Sequence, residues 1–265
     1  MYVHIERGAV ARSFGNGPTI VCLHGFAENG LMFAPLAQTR AAAGFSFAAP
    51  DLPGFGASPP QEDVQTIDQF AEWLNWFVRE IEIFGSVGLV AHSAAALIAV
   101  RAIERDPELY TGLFSIEGNL TEADAYFSGQ AADYESPQAF KSAFLDKVWA
   151  MAQRDEAIRR YHAAVAMCDP ETMWRFGRDA KVSSAGNAPG ISFSSLPIPA
   201  LYYWSRDSTP EPTRSFIETS HLRTKEFHGA SHTPTIDAPV GTGEAIAAFF
   251  EEAFASQKKD AAFTA

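Results

Sequence analysis

The sequence lacks most features that mark secreted, membrane or nucleic-acid-binding proteins. Only two of its 265 residues are cysteine, Cys22 and Cys168, which excludes a disulfide framework as the basis of the fold. No apolar run reaches the roughly 18 residues that a membrane-spanning helix needs. The segment from Met1 to Arg7 has no basic and then apolar pattern, so we expect no signal peptide. These absences predict a protein of the reducing cytoplasm.

Positive charge is also scarce. The chain carries 20 Lys and Arg residues against 32 Asp and Glu residues, which gives a formal net charge of −12 at pH 7. Nucleic acids and anionic membrane surfaces attract basic faces, so the composition predicts neither as a partner. Hydrophobic residues make up 47% of the chain and charged residues 20%, as in an ordinary globular enzyme. The acidic excess is therefore interpreted as a solvated surface.

Short apolar runs alternate with helical patterns over most of the chain. This alternation is typical of an α/β protein in which helices cover a mostly parallel sheet. The predicted strands cover residues 19–23, 45–50, 87–91, 113–116, 200–204 and 224–227. The predicted helices of this part cover 31–43, 66–84, 94–105 and 243–255, and a polar tail follows over 257–265.

The alternation stops between residues 118 and 197. Helices are predicted there over 138–153, 155–167 and 170–179, and a return loop rich in Ser, Gly and Pro over 183–199. We interpret 118–197 as a helical cap inserted between two late strands, with 1–117 and 198–265 as the core domain. If the cap faces the site, its aromatic and methionine side chains favour a hydrophobic substrate, and the alternative is that most of them form the core of the cap. They are Trp149, Met151, Tyr161, Met167, Met173, Trp174 and Phe176.

Ser93 is the candidate nucleophile. It lies in residues 91–95, with the sequence Ala-His-Ser-Ala-Ala, between a predicted strand and a predicted helix. A serine on such a turn has its hydroxyl held out for attack, and small flanking residues let strand and helix pass closely. Ala91 and Ala95 stand where the usual pattern has glycine. The alternative interpretation is an ordinary serine that caps a helix.

Two further turns supply the partners that a serine nucleophile needs. The turn at residues 24–26, with the sequence His-Gly-Phe, can direct the N–H of Phe26 at a developing oxyanion, and the N–H of Ala94 is the second donor. His232 follows a late predicted strand and is the candidate base. His228 lies at the strand end, where we expect a structural role, and we expect His92 to point away from the nucleophile.

Two carboxylates are candidates for the acid of the triad. A triad acid holds the imidazole in one tautomer and offsets its positive charge. Asp207 follows strand 200–204 and Glu117 ends strand 113–116, and both preserve the chain order serine, acid, histidine. The alternative roles are a solvated charge paired with Arg206 for Asp207, and a capping or hinge carboxylate for Glu117.

Together these fragments resemble the α/β-hydrolase superfamily over nearly the whole chain. The family's His-Gly turn matches residues 23–26, its D-x-P-G-x-G-x-S loop matches 51–58, and its nucleophile elbow matches 91–95. Its catalytic histidine, with two prolines after it, falls on His232. The resemblance implies an α/β-hydrolase fold with a helical cap. A serine at the elbow, where dehalogenases and epoxide hydrolases carry a carboxylate, argues against those two chemistries.

The family's usual late-strand acid is out of register in this chain. Ser208 occupies the place of the acid, and Asp207 lies one residue early. A minority of the superfamily, including lactonases that resemble the zearalenone-hydrolysing enzymes, carries a glutamate at the end of the preceding strand, and Glu117 falls there. The resemblance therefore implies a triad of Ser93, His232 and Glu117.

The sequence predicts a serine hydrolase that cleaves a carboxylic ester or lactone of a fairly hydrophobic small molecule through an acyl-enzyme. We expect no cofactor, and no metal-ligand spacing of any specificity is present. Two alternatives stay open. One is C–C bond hydrolysis or cofactor-free oxygen chemistry with the same serine and histidine, and the other is a ligand receptor with a vestigial triad. The sequence does not fix the oligomeric state and leaves a homodimer open.

Overall fold

The computed structural model describes residues 1–6, 8–81, 85–153 and 155–264, and an eight-stranded sheet runs through it. The strands are β1 (Tyr2–Glu6), β2 (Ala9–Gly15), β3 (Thr19–Leu23), β4 (Ser46–Pro50), β5 (Val87–His92), β6 (Tyr110–Ile116), β7 (Ala200–Trp204) and β8 (Thr224–Glu226). Their spatial order is β1-β2-β4-β3-β5-β6-β7-β8. The pairs β1–β2 and β2–β4 are antiparallel, and every later pair is parallel. The predicted α/β fold with a mostly parallel sheet is confirmed.

Helices cover both faces of this sheet. The α-helices are α1 (Ala41–Gly44), α2 (Ile67–Ile81), α3 (Ala95–Arg105), α4 (Pro137–Ala152), α5 (Glu156–Met167), α6 (Pro170–Ser183), α7 (Ala188–Ser194), α8 (Glu211–Thr219), α9 (Pro234–Asp237) and α10 (Pro239–Thr264). Short 3₁₀ helices cover Gly30–Gln38, Pro107–Leu109, Glu122–Ala125 and Ser128–Asp133. Within the described ranges, none of the helices combines the length and the apolarity needed to cross a membrane.

The central strands lie where the sequence predicts them. They are buried on both faces, and this burial gives them a recognisable sequence pattern. Every residue of β5 and β6 is buried, so these strands are nearly continuous apolar runs rather than alternating ones. Helix α2 buries one stripe of its surface, and the hydroxyl of Thr66 accepts the N–H of Gln69 at its start. Residues 82–84, the predicted end of this helix, lie outside the described residues.

Several predicted elements differ from the structure. The predicted helix 31–43 is instead the 3₁₀ helix Gly30–Gln38 followed by the short α1, because Pro35 has no N–H for a helical hydrogen bond. The predicted return loop 183–199 contains α7, which Pro189 begins from a position that tolerates proline. Helix α10 starts earlier than predicted and continues into the predicted polar tail as far as Thr264. The strands β1 and β2 were not predicted from the sequence.

A helical region joins β6 to β7, as the sequence predicts. It consists of two 3₁₀ helices and α4 to α7, and its aromatic side chains pack on the loop after β3. Phe26 of that loop contacts Phe140, Phe144 and Phe176 at ring-centroid distances of 5.7 to 6.3 Å. These contacts place the helical region over the carboxyl ends of the strands. The boundaries 118–197 of a separate cap domain stay a prediction.

A buried ion pair fixes the loops that follow β3 and β4. The carboxylate of Asp51, fully buried after β4, accepts Nη1 of Arg12 at 2.5 Å and Nη2 at 3.1 Å. It also accepts the N–H groups of Gly30 and Ala57 at 2.7 and 2.8 Å. Gly56 has a φ of +55°, and a Cβ there would lie 2.4 Å from Asp51 Oδ2. The D-x-P-G-x-G-x-S loop therefore has a structural role.

Asp51→Asn is expected to lower the free energy of unfolding by about 3 kcal/mol, because it leaves the buried Arg12 without a counter-charge. Urea unfolding followed by circular dichroism measures this change. Glu218→Gln is the control, since Glu218 pairs with Arg206 on the surface and such pairs contribute about 0–1 kcal/mol. Equal losses in the two variants would show that the Arg12–Asp51 pair does not have this role.

Candidate active site

Ser93 lies on a strained turn between β5 and α3. Its φ is +55°, in the left-handed region that non-glycine residues rarely adopt. The N–H of Ser93 donates to the carbonyl of Ile116 at the end of β6, and its own carbonyl accepts the N–H of Ala96, both at 2.9 Å. This backbone conformation is that of a nucleophile elbow, in which the serine side chain is presented at the top of the sheet.

The turn after β3 packs directly against this elbow. A Cβ at Gly25 would lie 2.7 Å from Nδ1 of His92 and 3.1 Å from Cβ of Ser93, so only glycine fits at this position. The next residues are Phe26 and Ala27, and Ala27 also has a φ of +55°. The close approach brings Phe26 and Ala94, the two predicted oxyanion donors, to one cavity with Ser93.

His232 contacts the carboxylate of Glu117. Nδ1 of His232 lies 2.5 Å from Oε2 of Glu117, and the Glu117 side chain is only 3% exposed. Because a carboxylate only accepts hydrogen bonds, Nδ1 is the donor, and in the neutral ring Nε2 carries the lone pair. Glu117 follows β6 directly with a φ of +45°, and its N–H donates to the carbonyl of Tyr203 in β7.

The second oxygen of Glu117 is held by the loop after β7. Oε1 accepts the N–H of Ser205 at 3.0 Å and the hydroxyls of Ser208 at 2.5 Å and Thr209 at 3.5 Å. Ser208 is the residue in the family's usual acid position, and its hydroxyl donates to the glutamate. Asp207 is exposed, and its N–H donates to Ser205 Oγ. The structure therefore brings Glu117, and not Asp207, against His232.

Ser93 and His232 line a single cavity of about 130 Å³. One wall is formed by the loops at the carboxyl ends of β3, β5 and β8. The opposite wall is mostly apolar and comes from the helical region between β6 and β7. Its residues include Phe127, Val148, Met151, Ile158 and Tyr161. A bound molecule would therefore lie between the predicted nucleophile and base on one side and the helical region on the other.

His92 contacts His232, a contact that the sequence does not predict. Its Nε2 donates to the carbonyl of His232 at 2.8 Å, and the two rings lie 4.8 Å apart. Burial, and next the charge of His232, hold the pKa of His92 well below its usual value, so the ring is neutral. His92 thus ties the nucleophile elbow to the His232 loop. His228, in contrast, is exposed and lies outside the cavity.

Helix α5 makes two polar contacts to the loop after β3, and the sequence predicts neither. Nη2 of Arg160 pairs with Oε1 of Glu28 at 2.5 Å, and the hydroxyl of Tyr161 donates to the carbonyl of Phe26 at 3.1 Å. Glu28 has no motif around it, so only the fold shows that it lines the cavity. Across the described ranges, no three or more His, Cys, Asp or Glu side chains are grouped so that they could hold a metal ion.

Known proteins resemble this chain in sequence and in fold. A pimeloyl-[acyl-carrier protein] methyl ester esterase of Aeromonas salmonicida is 32% identical over 118 residues, which are 44% of this chain and 41% of that protein. The chain thus matches about two fifths of the length of this curated relative. An N-acyl homoserine lactonase has a TM-score of 0.75 at 17% identity, over 95% of this chain and 97% of its own. A thermophilic esterase of Thermogutta terrifontis has a TM-score of 0.73 at 16% identity, over 92% and 94%.

A family described as the alpha/beta hydrolase fold matches residues 18–209. This range begins just before β3 and ends in the loop after β7, so it contains the elbow at Ser93 and the end of β6 at Glu117. The eight-stranded sheet, the strained elbow and the helical region between β6 and β7 agree with this match. The chain belongs to the α/β-hydrolase fold family.

Proposed function

We propose that this protein is a serine hydrolase that cleaves a carboxylic ester or lactone through an acyl-enzyme, with a triad of Ser93, His232 and Glu117. The observation that carries the proposal is the contact between the buried Glu117 carboxylate and Nδ1 of His232. It leaves Nε2 of a ring that lines the same cavity as Ser93 free to accept a proton. A serine in a strained elbow supplies the matching nucleophile.

The proposed reaction has two steps. His232 Nε2 takes the proton of Ser93, whose oxygen attacks the carbonyl carbon, and the N–H groups of Phe26 and Ala94 stabilise the oxyanion. The protonated His232 then gives its proton to the leaving alcohol, which departs or, in a lactone, stays attached to the acyl group. Water, deprotonated by the same histidine, then attacks the acyl carbon, and the bond from that carbon to the Ser93 oxygen breaks as His232 returns the proton to Ser93 and the acid is released. Glu117 offsets the charge of the imidazolium throughout.

The cavity and the relatives support a fairly hydrophobic substrate. Phe127, Val148 and Ile158 give the cavity an apolar wall. The related proteins are named for an ester of an acyl-carrier protein and for N-acyl homoserine lactones, and both names describe carboxylic ester or lactone bonds. A neutral ester or lactone with an aliphatic acyl chain is therefore the substrate class that the proposal favours.

A fluorophosphonate probe is expected to label wild-type protein at Ser93, because the probe reports a serine activated by a general base. Peptide mass spectrometry locates the label, and Ser93→Ala should abolish it. Ser231→Ala is the matched control, since Ser231 lines the same cavity but its hydroxyl bonds Thr233 and Asp237. A folded wild-type protein that stays unlabelled would contradict the enzyme proposal and favour a receptor.

Glu117→Gln is expected to lower kcat on a simple ester by about 10³- to 10⁴-fold, as neutral replacement of a triad acid does elsewhere. Asp207→Asn should leave kcat within about twofold, because Asp207 is exposed and Glu117 is the carboxylate in contact with His232. Steady-state kinetics with circular dichroism as a folding check measures both variants. Loss of activity in Asp207→Asn alone would assign the acid to Asp207.

Ser208→Asp is expected to have opposite effects in two backgrounds. In wild type it places a second carboxylate beside Glu117, and the repulsion should lower kcat. In Glu117→Gln it supplies a carboxylate at the family's usual acid position, and kcat should recover by about tenfold or more over the single variant. Ser208→Asn in the same background is the neutral control. No recovery in the double variant would show that this position cannot serve His232.

A further inference from the structure

The charged residues around the cavity are predominantly acidic. Glu28 and Asp124 line it in addition to the neutral histidine ring of His92 and the His232 side chain. Within the described part of the chain, the cavity lining includes no lysine or arginine. Glu117 lies directly behind His232 and adds a third carboxylate. The balance of charge at this site is therefore negative before any substrate enters.

Asp124 is held in place by donors that stabilise its ionised form. Oδ2 accepts the N–H groups of Leu120 and Thr121, both at 2.9 Å, and Oδ1 accepts the hydroxyl of Thr213 at 2.8 Å. Burial raises the pKa of this carboxyl above its usual value, and the same donors and the charge of His232 offset that rise only in part. Asp124 thus presents a carboxyl group to a cavity whose described lining contains no lysine or arginine.

Glu28 pairs with the guanidinium of Arg160. Its side chain is 3% exposed, and Arg160 Nη2 pairs with Oε1 at 2.5 Å. Oε2 of Glu28 and Nε of Arg160 are both buried without a hydrogen-bond partner among the described residues. Burial raises the pKa of Glu28, and the guanidinium opposes that rise. The positive charge of Arg160 is thus compensated within the pair and is not available to an anionic ligand.

We propose that this cavity accepts acyl chains that are neutral and rejects acyl chains that carry a carboxylate, and that the Glu28–Arg160 pair controls this choice. This inference rests on the proposed esterase or lactonase function. An anionic chain would lose its hydration and lie beside Asp124, with Glu117 behind His232 and no lysine or arginine in the described lining, and such like-charge proximity is unfavourable. A neutral aliphatic chain would instead pack on the wall of Phe127, Val148 and Ile158.

Two methyl esters of matched shape test the proposal. Methyl 6-methylheptanoate carries a terminal isopropyl group where monomethyl adipate carries a carboxylate, and the acyl chain is the only part long enough to fill the cavity. We expect kcat/KM to be lower for the adipate by about 30-fold or more, from like-charge repulsion and desolvation. If neither ester is hydrolysed, the proposed function is contradicted. Equal hydrolysis of both would overturn this inference and leave the function standing.

The net charge of −12 could by itself repel an anion, and ionic strength separates the two causes. Repulsion by the whole surface is screened as salt rises from about 0.05 M to 0.5 M, whereas charges inside a buried cavity are screened much less. The discrimination is expected to persist at high salt. If the discrimination between the two esters disappears at high salt, the surface charge is its cause and the proposal is overturned, whether or not any variant folds.

Glu28→Gln tests the ion pair itself. It removes the counter-charge of Arg160, so the ratio of adipate to methylheptanoate kcat/KM is expected to rise by about tenfold. Asp146→Asn is the matched control, because it removes the same formal charge from an exposed position on α4 and should leave the ratio unchanged. A Glu28→Gln ratio equal to that of wild type would overturn the role of the pair.

Discussion

Strained backbone at the carboxyl ends of three neighbouring strands is the constraint on which the site depends. Ala27, Ser93 and Glu117 are the non-glycine residues of the described chain with a positive φ, and they follow β3, β5 and β6. These strands lie side by side in the sheet. Left-handed backbone at a residue with a side chain costs about 1–3 kcal/mol and persists only when its surroundings impose it. Here the sheet imposes it where the chain must turn sharply over the cavity.

The sequence could predict this edge of the sheet because its strands are buried on both faces. Continuous apolar runs indicate β3, β5 and β6. The residues that come directly after each run in the sequence are then expected at the carboxyl edge of the sheet. Ser93 and Glu117 could be identified in this way. The same reasoning identifies Phe26 and Ala94 as candidate oxyanion donors, because their turns follow β3 and β5. The two N-terminal strands and α7 have no such pattern and appear only in the structure.

Contacts between distant parts of the chain could not be predicted. His92 binds the carbonyl of a residue 140 positions later, and Glu28 pairs with a residue 132 positions later. His92 is a variable position of the elbow motif and Glu28 belongs to no motif, so only folding brings the partners together. The carboxylate of Glu117 is a different case. Its identity followed from resemblance, but its support by Ser205, Ser208 and Thr209 depends on a loop from the next strand.

Arg160 and Tyr161 are consecutive residues of α5, and each holds one end of the short segment from Phe26 to Glu28. That segment begins with a proposed oxyanion donor and includes the strained Ala27. Any outward displacement of α5 would therefore release both restraints on the segment at once. Helix α5 therefore does more than cover the cavity, because it also supports the backbone that carries the proposed oxyanion donor.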